Sequence, residues 1–388
     1  MFLKQLKKRN PELIEFALEL HKSGQILPDT YVIDLDMVRK NTMAMVAEAK
    51  KNNVELLYMT KQIGRNPVVA KEIVSAGIEN AVVVDYREAE IFMKNNLKLG
   101  NVGHLVQPPK SLLKKMLIYG TKYFTMFSIE NTVRLNSVAE SVGKKQKVIL
   151  KIQDEKDDIY PGQVGGFTLK KLDEQLDELK KLSNIEIVGI TTFPAILFQQ
   201  ESCNYEPTTN VKTIEDSKKI FEKHGLKCEV VSLPSATATD SIKLIKELGG
   251  TEGEPGHSLT GTTPMHAIKD LPEKPAYCYV SEISHSYNHH SYVYGGGYYR
   301  RGHLKHALVN EKNDMKEAEV LPLDNSSIDY YLELDQEFKA GSPVIMASRT
   351  QIFVTRSTVA LVKGLHNGNP KLIGLYDSQG KKLEEGVK

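Results

Sequence analysis

The chain has 388 residues, 40% of them hydrophobic and 26% charged, the balance of a soluble globular protein with room for one large domain and a smaller one. A formal net charge of +2 is too close to neutral to indicate nucleic acid or a membrane surface as partner, and three cysteines without CxxC spacing make no disulfide framework. No apolar run approaches the roughly 20 residues of a spanning helix, and the polar, basic start is unlike a secretory signal, so a cytoplasmic location is expected.

In chain order, residues 2–24 carry an amphipathic helical pattern, with Asn10-Pro11-Glu12 reading as a helix start inside it. Tyr31-Val-Ile-Asp-Leu35 reads as a strand, and the segment through Lys51 as a helix. Apolar strand candidates then fall at 54–60, 80–85, 101–106, 123–127, 147–153, 185–192, 228–233 and, more weakly, 250–254. Segments of helical period separate them; the clearest puts Leu169, Leu172, Leu176, Leu179 and Leu182 on one stripe. Eight short buried-type strands, each followed by a helix, are the count of a (β/α)8 TIM barrel, whereas a doubly wound open sheet gives no reason to stop at eight. After about residue 270 the texture changes to short β-prone runs such as Tyr277-Cys-Tyr-Val and Pro343-Val-Ile-Met. The expected organisation is an N-terminal helical extension (1–30), the barrel (31–269) and a smaller all-β domain (270–388), with the strand at 31–35 a candidate for the β domain's sheet.

Working groups of such a barrel gather where its strands end. Lys61 closes the run Val54-Glu-Leu-Leu-Tyr-Met-Thr-Lys61, and a lysine there, walled by Leu56, Leu57, Tyr58 and Met59, can form an imine with an aldehyde cofactor. Taken alone, a strand-end surface lysine is the plainer reading. Its companion is Glu254-Pro255-Gly256-His257 at the last strand. A carboxylate against a pyridine nitrogen keeps that nitrogen protonated, and Gly256 admits close backbone approach of a phosphate. Ser258, Thr260, Thr262 and Thr263 add hydroxyls, and Ser235-Ala-Thr237-Ala-Thr239 offers a second phosphate turn, with simple helix capping as the alternative for both. Together the two segments point to pyridoxal 5'-phosphate (PLP). In His285-Ser-Tyr-Asn-His289-His290, a continuous strand would turn His285, Tyr287 and His289 one way. Two histidines at i,i+4 can bind a divalent metal, but no completing ligand is evident, so the expectation is no metal, with the histidines lining the substrate pocket or simply covering the β domain's surface. Arg349 and Arg356 are candidates for a substrate carboxylate or phosphate, or solvated strand residues.

Several landmarks run in order along almost the whole chain: Ile33-Asp-Leu-Asp36 with Asn41, Lys61, Leu150-Lys-Ile-Gln153 followed by Gly165-Gly-Phe167, Gly189-Ile-Thr-Thr-Phe193, and Glu254-Pro-Gly256. This layout resembles the alanine-racemase-like, fold-type III PLP enzymes, and within them the YhfX-type group. The resemblance implies PLP bound through Lys61, with Phe193, Ser235, Thr237, Glu254, Gly256, His257 and Ser258 around it. It also implies that Tyr294, in Tyr294-Gly-Gly-Gly-Tyr298-Tyr299-Arg300, is a catalytic tyrosine delivered by the partner subunit of a homodimer, with His289 a further candidate. Alanine racemase has arginine where Glu254 stands, histidine where Phe193 stands and a substrate-side arginine near Gln163, so alanine is not the expected substrate. The basic-amino-acid decarboxylases of this fold share Glu-Pro-Gly. The expected activity is therefore racemisation or epimerisation of another amino acid by proton removal at Cα. A decarboxylase or β-eliminating lyase is the alternative; a PLP carrier and a phosphate-binding barrel without PLP are further readings.

Overall fold

The computed structural model describes residues 1–312 and 314–384 and divides into two compact units. One comprises Met43–Met59 and Ile73–Gly256, the other Met1–Thr42, Thr60–Glu72 and His257–Lys388.

The chain's first strand, β1 (Thr30–Asp34), belongs to the second unit. The first unit holds β2 (Glu55–Tyr58), β3 (Asn80–Val83), β4 (Lys98–Val102), β5 (Tyr123–Met126), β6 (Gln146–Lys151) and β7 (Ile185–Thr191). A small antiparallel ribbon follows, β8 (Ile196–Gln199) with β9 (Asn204–Pro207), and then β10 (Val230–Ser232) and β11 (Glu252–Gly253). Parallel pairing closes eight of these strands into a barrel in the order β10-β11-β2-β3-β4-β5-β6-β7. Strands of a closed parallel sheet are covered on both faces, which is why they read as apolar runs; Val82, Val83, Phe124, Val148, Ile149 and Ile190 are all buried. The Leu169–Lys180 helix buries Leu172, Leu176 and Leu179, and the Thr168 hydroxyl caps it by accepting from the Lys171 N–H.

All eight expected barrel strands are present, with some bounds moved. The run 101–106 leaves the sheet after Val102, where Gly103 takes a φ of 94°. The 250–254 run pairs only at Glu252 and Gly253. The barrel interior is partly polar: Thr125 Oγ1 donates to Asn101 Oδ1 at 2.7 Å, and the Tyr123 hydroxyl donates to Glu252. Complete burial raises the Glu252 carboxyl to about 7, against the Tyr123 hydrogen bond.

In the second unit the expected N-terminal helix is two helices, Phe2–Arg9 and Pro11–Lys22. The residue before a proline is pushed out of helical conformation, and Asn10 sits at φ −153°, ψ 58°. Its Nδ2 donates to Asp34 Oδ2 at 3.2 Å and to the Pro275 carbonyl at 2.9 Å. The strands are β12 (Tyr277–Tyr287), β13 (His290–Tyr294), β14 (His306–Glu311), β15 (Asp314–Glu319), β16 (Tyr331–Leu334), β17 (Pro343–Met346), β18 (Thr358–Lys363) and β19 (Lys371–Tyr376). They run β15-β14-β17-β12-β1-β18-β19, with β13 and β16 continuing from β12. Leu13, Ala17 and Leu20 of the second helix share a core with Val32, Cys278, Val280, Ile345 and Ala360 of the sheet.

Candidate active site

In the barrel unit, β2 and β11 are neighbours, and beyond their ends the Met59 N–H donates to the Pro255 carbonyl at 3.0 Å. The chain therefore leaves the barrel at Met59 beside the Glu254-Pro-Gly turn, two residues before Lys61. Glu254 is 5% exposed and its N–H donates to Thr237 Oγ1 at 2.9 Å. Its Oε2 lies 3.4 Å from Nε2 of His104, a residue wholly removed from solvent. The His104 ring meets Phe193 edge-on at 5.6 Å, and Phe193 meets Tyr160 at 5.5 Å. A carboxylate, an imidazole and two aromatic rings thus form one connected row above the strand ends. The Phe193–Pro194 peptide is cis.

Ser235 and Thr237 follow β10 rather than opening a helix; the next helix begins at Ile242. The Ser235 hydroxyl is engaged with the Ile196 backbone, accepting from its N–H at 3.1 Å and donating to its carbonyl at 2.5 Å. At the end of β6, Lys151 is buried; its Nζ donates to the Gln163 carbonyl at 3.1 Å and stands 4.5 Å over the Phe127 ring. Desolvation lowers this lysine to about 8. The Gln163 side-chain carbonyl is buried without a hydrogen-bond partner among the described residues.

In the second unit, Lys61 starts a 3-10 turn, Lys61–Ile63, two residues past Met59. His257 starts another, His257–Thr260. Its Nε2 is 3.4 Å from Gln351 Nε2, and its Nδ1 is buried with no partner among the described residues. Burial, then the charges of Arg349 and Lys61, hold this imidazole neutral, well below its usual range. A neutral ring bordered by a guanidinium and an amine suits an anion. Around it, the Thr260 and Thr262 hydroxyls bond each other at 2.9 Å and the His257 carbonyl, and Thr263 bonds His266 Nδ1 at 2.6 Å. Ser258 is fully buried in the same turn.

Tyr294 ends β13, is 37% exposed, and lies 6.0 Å from the Tyr331 ring. The stretch 285–290 is not one strand: β12 and β13 meet in a turn at Asn288 and His289, both left-handed. His289 is therefore exposed at a hairpin tip, 3.7 Å from Glu337, while His285 stacks on Tyr292 at 4.9 Å. Arg356 is ion-paired with Asp329 at 2.9 Å. Sequence reading passed over His104 and Lys151. Their only signal is position, since each sits at or just past the end of an apolar barrel run. Among the described residues no group of three or more His, Cys, Asp or Glu is placed to hold a metal, and no helix is long and apolar enough to cross a membrane.

A closed eight-stranded parallel barrel followed by a β-rich domain is the alanine racemase fold, and the chain belongs to that family: the alanine racemase N-terminal domain matches residues 33–264 and the YhfX-like C-terminal domain matches 278–372. Over 385 residues it is 41% identical to Escherichia coli (strain K12) protein YhfX, covering 99% of this chain and 100% of that one. Clostridium difficile 630 alanine racemase in complex with cycloserine superposes with a TM-score of 0.65 at 18% identity, covering 91% of this chain and 99% of that one. D-threo-3-hydroxyaspartate dehydratase from Delftia sp. HT23 superposes at 0.66 and 14% identity, covering 88% and 95%. The fold thus carries both isomerases and lyases.

Proposed function

We propose that this protein is a PLP-dependent amino-acid racemase or epimerase whose substrate is not alanine. The observation that carries the reading is the bond from Met59 to Pro255, which sets the lead to Lys61 beside the acid-Pro-Gly turn. The residues present fit the cofactor. Lys61 supplies the amine, Glu254 the acid for the pyridine nitrogen, and Phe193 an apolar wall. The buried Nδ1 of His257, beside Arg349 and Lys61, suits the phosphate, with Gly256, Ser258 and Thr237 completing its surroundings and Ser235 shaping the turn. When bound, PLP supplies an electron sink that makes the substrate's Cα proton acidic.

The chain's own groups then divide the work. Lys61 Nζ takes or returns the Cα proton on one face. The Tyr294 hydroxyl, from the second subunit of a homodimer, does so on the other, with His289 a weaker candidate given its exposure. Glu254 keeps a proton at the ring nitrogen, and His104 and Thr237 hold Glu254 in place. The Gln163 side chain and Lys151 are available to orient the substrate.

Glu254 also favours a second reading, decarboxylation or β-elimination, because those reactions draw on a protonated ring; the similarity in fold to a dehydratase agrees with it. One experiment separates the two. The protein is loaded with PLP and incubated with an amino-acid panel in heavy water, and the Cα proton is followed by NMR. Exchange with inversion and no release of carbon dioxide, ammonia or keto acid is expected. Release of any of these favours the lyase, and no exchange with any amino acid removes both readings.

A further inference from the structure

Three consecutive glycines follow Tyr294, and such a run is floppy unless something fixes it. Here hydrogen bonds reach the backbone at Tyr294 and at each of the three glycines. The Tyr294 carbonyl accepts from Ser281 Oγ at 2.7 Å, and the Gly295 N–H donates to the Tyr330 carbonyl at 2.8 Å. The Gly296 carbonyl accepts the Arg356 N–H at 3.1 Å. The Gly297 N–H donates to the Tyr279 hydroxyl at 3.3 Å and its carbonyl accepts from Tyr31 at 2.6 Å.

At the centre of these partners sits Asp29, itself in a left-handed conformation with φ 62°. Its Oδ1 accepts from Ser357 Oγ at 2.5 Å and from the Tyr279 hydroxyl at 2.9 Å. Its Oδ2 fills the space a side chain on Gly296 would need: a Cβ there would come within 2.0 Å. A Cβ on Gly297 would meet the Tyr279 ring at 2.3 Å. Gly296 and Gly297 are required because the carboxyl group and its hydroxyl donors occupy their side-chain volume, while Gly295 is held to glycine by the Asp329 backbone. We propose that Asp29 is a positioning residue for Tyr294, its carboxyl group clamping the triple-glycine turn that aims the tyrosine. This rests on the reading of Tyr294 as a second acid/base, where a displacement of about 1 Å costs on the order of 100-fold in rate.

The clamp is sensitive to pH. The charged and titratable groups facing Asp29 are Tyr31 and Tyr279 from the sheet, and Arg356 and Asp329. Burial raises Asp29 to about 6, with the Ser357 and Tyr279 hydrogen bonds and Arg356 opposing. If the turn is released, Asp29 regains its ordinary value of 3.8. Protons therefore favour the closed turn, and its closed-to-open ratio rises about tenfold from pH 7 to pH 5.

The test is backbone hydrogen exchange of segment 294–298 by mass spectrometry on the PLP-loaded full chain, corrected for intrinsic rates, at pH 7 and pH 5. Wild type is expected to gain about tenfold protection at the lower pH. Asp29→Asn keeps the Oδ1 acceptor without the charge and is expected to show equal protection at both. Ser357→Ala, which leaves the carboxylate in place, is expected to lose protection in this segment alone. An Asp29→Asn chain with the wild-type pH response, or a Ser357→Ala turn protected as in wild type, overturns the clamp. The positioning role is read from the pH profile of inversion at Cα, which needs both faces and should lose its inflection near pH 6 in Asp29→Asn; an unchanged profile overturns it. Undiminished inversion at Cα in Tyr294→Phe would instead count against the function proposed for Tyr294 and leave the clamp standing.

Discussion

Glu252 offers a quantitative prediction because it is 1% exposed, lies inside a closed barrel and accepts a hydrogen bond from Tyr123. Its carboxyl group is raised from 4.5 to about 7, a difference of about 2.5 units, or about 3 kcal/mol at about 1.4 kcal/mol per unit. In the window between those values the folded chain holds a proton that the unfolded chain has released. The contribution of Glu252 to stability is therefore fully present below pH 4.5, falls as pH rises toward 7 and is lost above that. Glu252→Gln keeps an acceptor for the Tyr123 hydroxyl and cannot ionise. It should match wild type near pH 4.5 and exceed it by about 2–3 kcal/mol at pH 8. The assay is urea unfolding of both proteins from pH 4.5 to 8, comparing the difference so that other titrating groups cancel. A difference that does not change with pH, or a variant less stable at pH 8, refutes the reasoning.

Lys151→Met should stabilise the protein at pH 7 by about 2 kcal/mol, the cost of burying an ammonium less one hydrogen bond. Wild-type stability should climb between pH 8 and 10.5 while the variant's does not, because the lysine is lowered from 10.5 to about 8; denaturant midpoints across that range check both. Thr237→Val removes the acceptor of the Glu254 N–H. It should cost about 1–3 kcal/mol and weaken PLP uptake in a titration followed by absorbance; unaltered uptake counts against Thr237 as a support of Glu254. Lys61→Ala is expected to take up no PLP as a stable visible chromophore, read directly from the spectrum of the purified protein.

The barrel is legible in the sequence because most of its strands, covered on both faces, carry short apolar runs separated by segments of helical period; β11, only Glu252-Gly253, is the faint one. Lys61 is legible because it closes an apolar run, and Glu254 because it opens an acid-Pro-Gly turn at the matching distance along the chain. His104 and Lys151 are not: a polar residue beside an apolar run has no periodic signature, and only the closed geometry turns His104 onto Glu254 at 3.4 Å. The β12–β13 hairpin is hidden for a different reason. Its turn residues Asn288 and His289 have φ of 50° and 65°, the conformation usually announced by Asn-Gly or Asp-Gly, and no glycine marks it. Asp29 is equally silent, since its role lies in glycines far away along the chain.

The most direct test of the central claim is to reduce the PLP-loaded protein with borohydride and map the modified peptide by mass spectrometry. The account predicts a single pyridoxyl group on Lys61. A pyridoxyl group on Lys151 or a surface lysine, or none at all after loading, would contradict it.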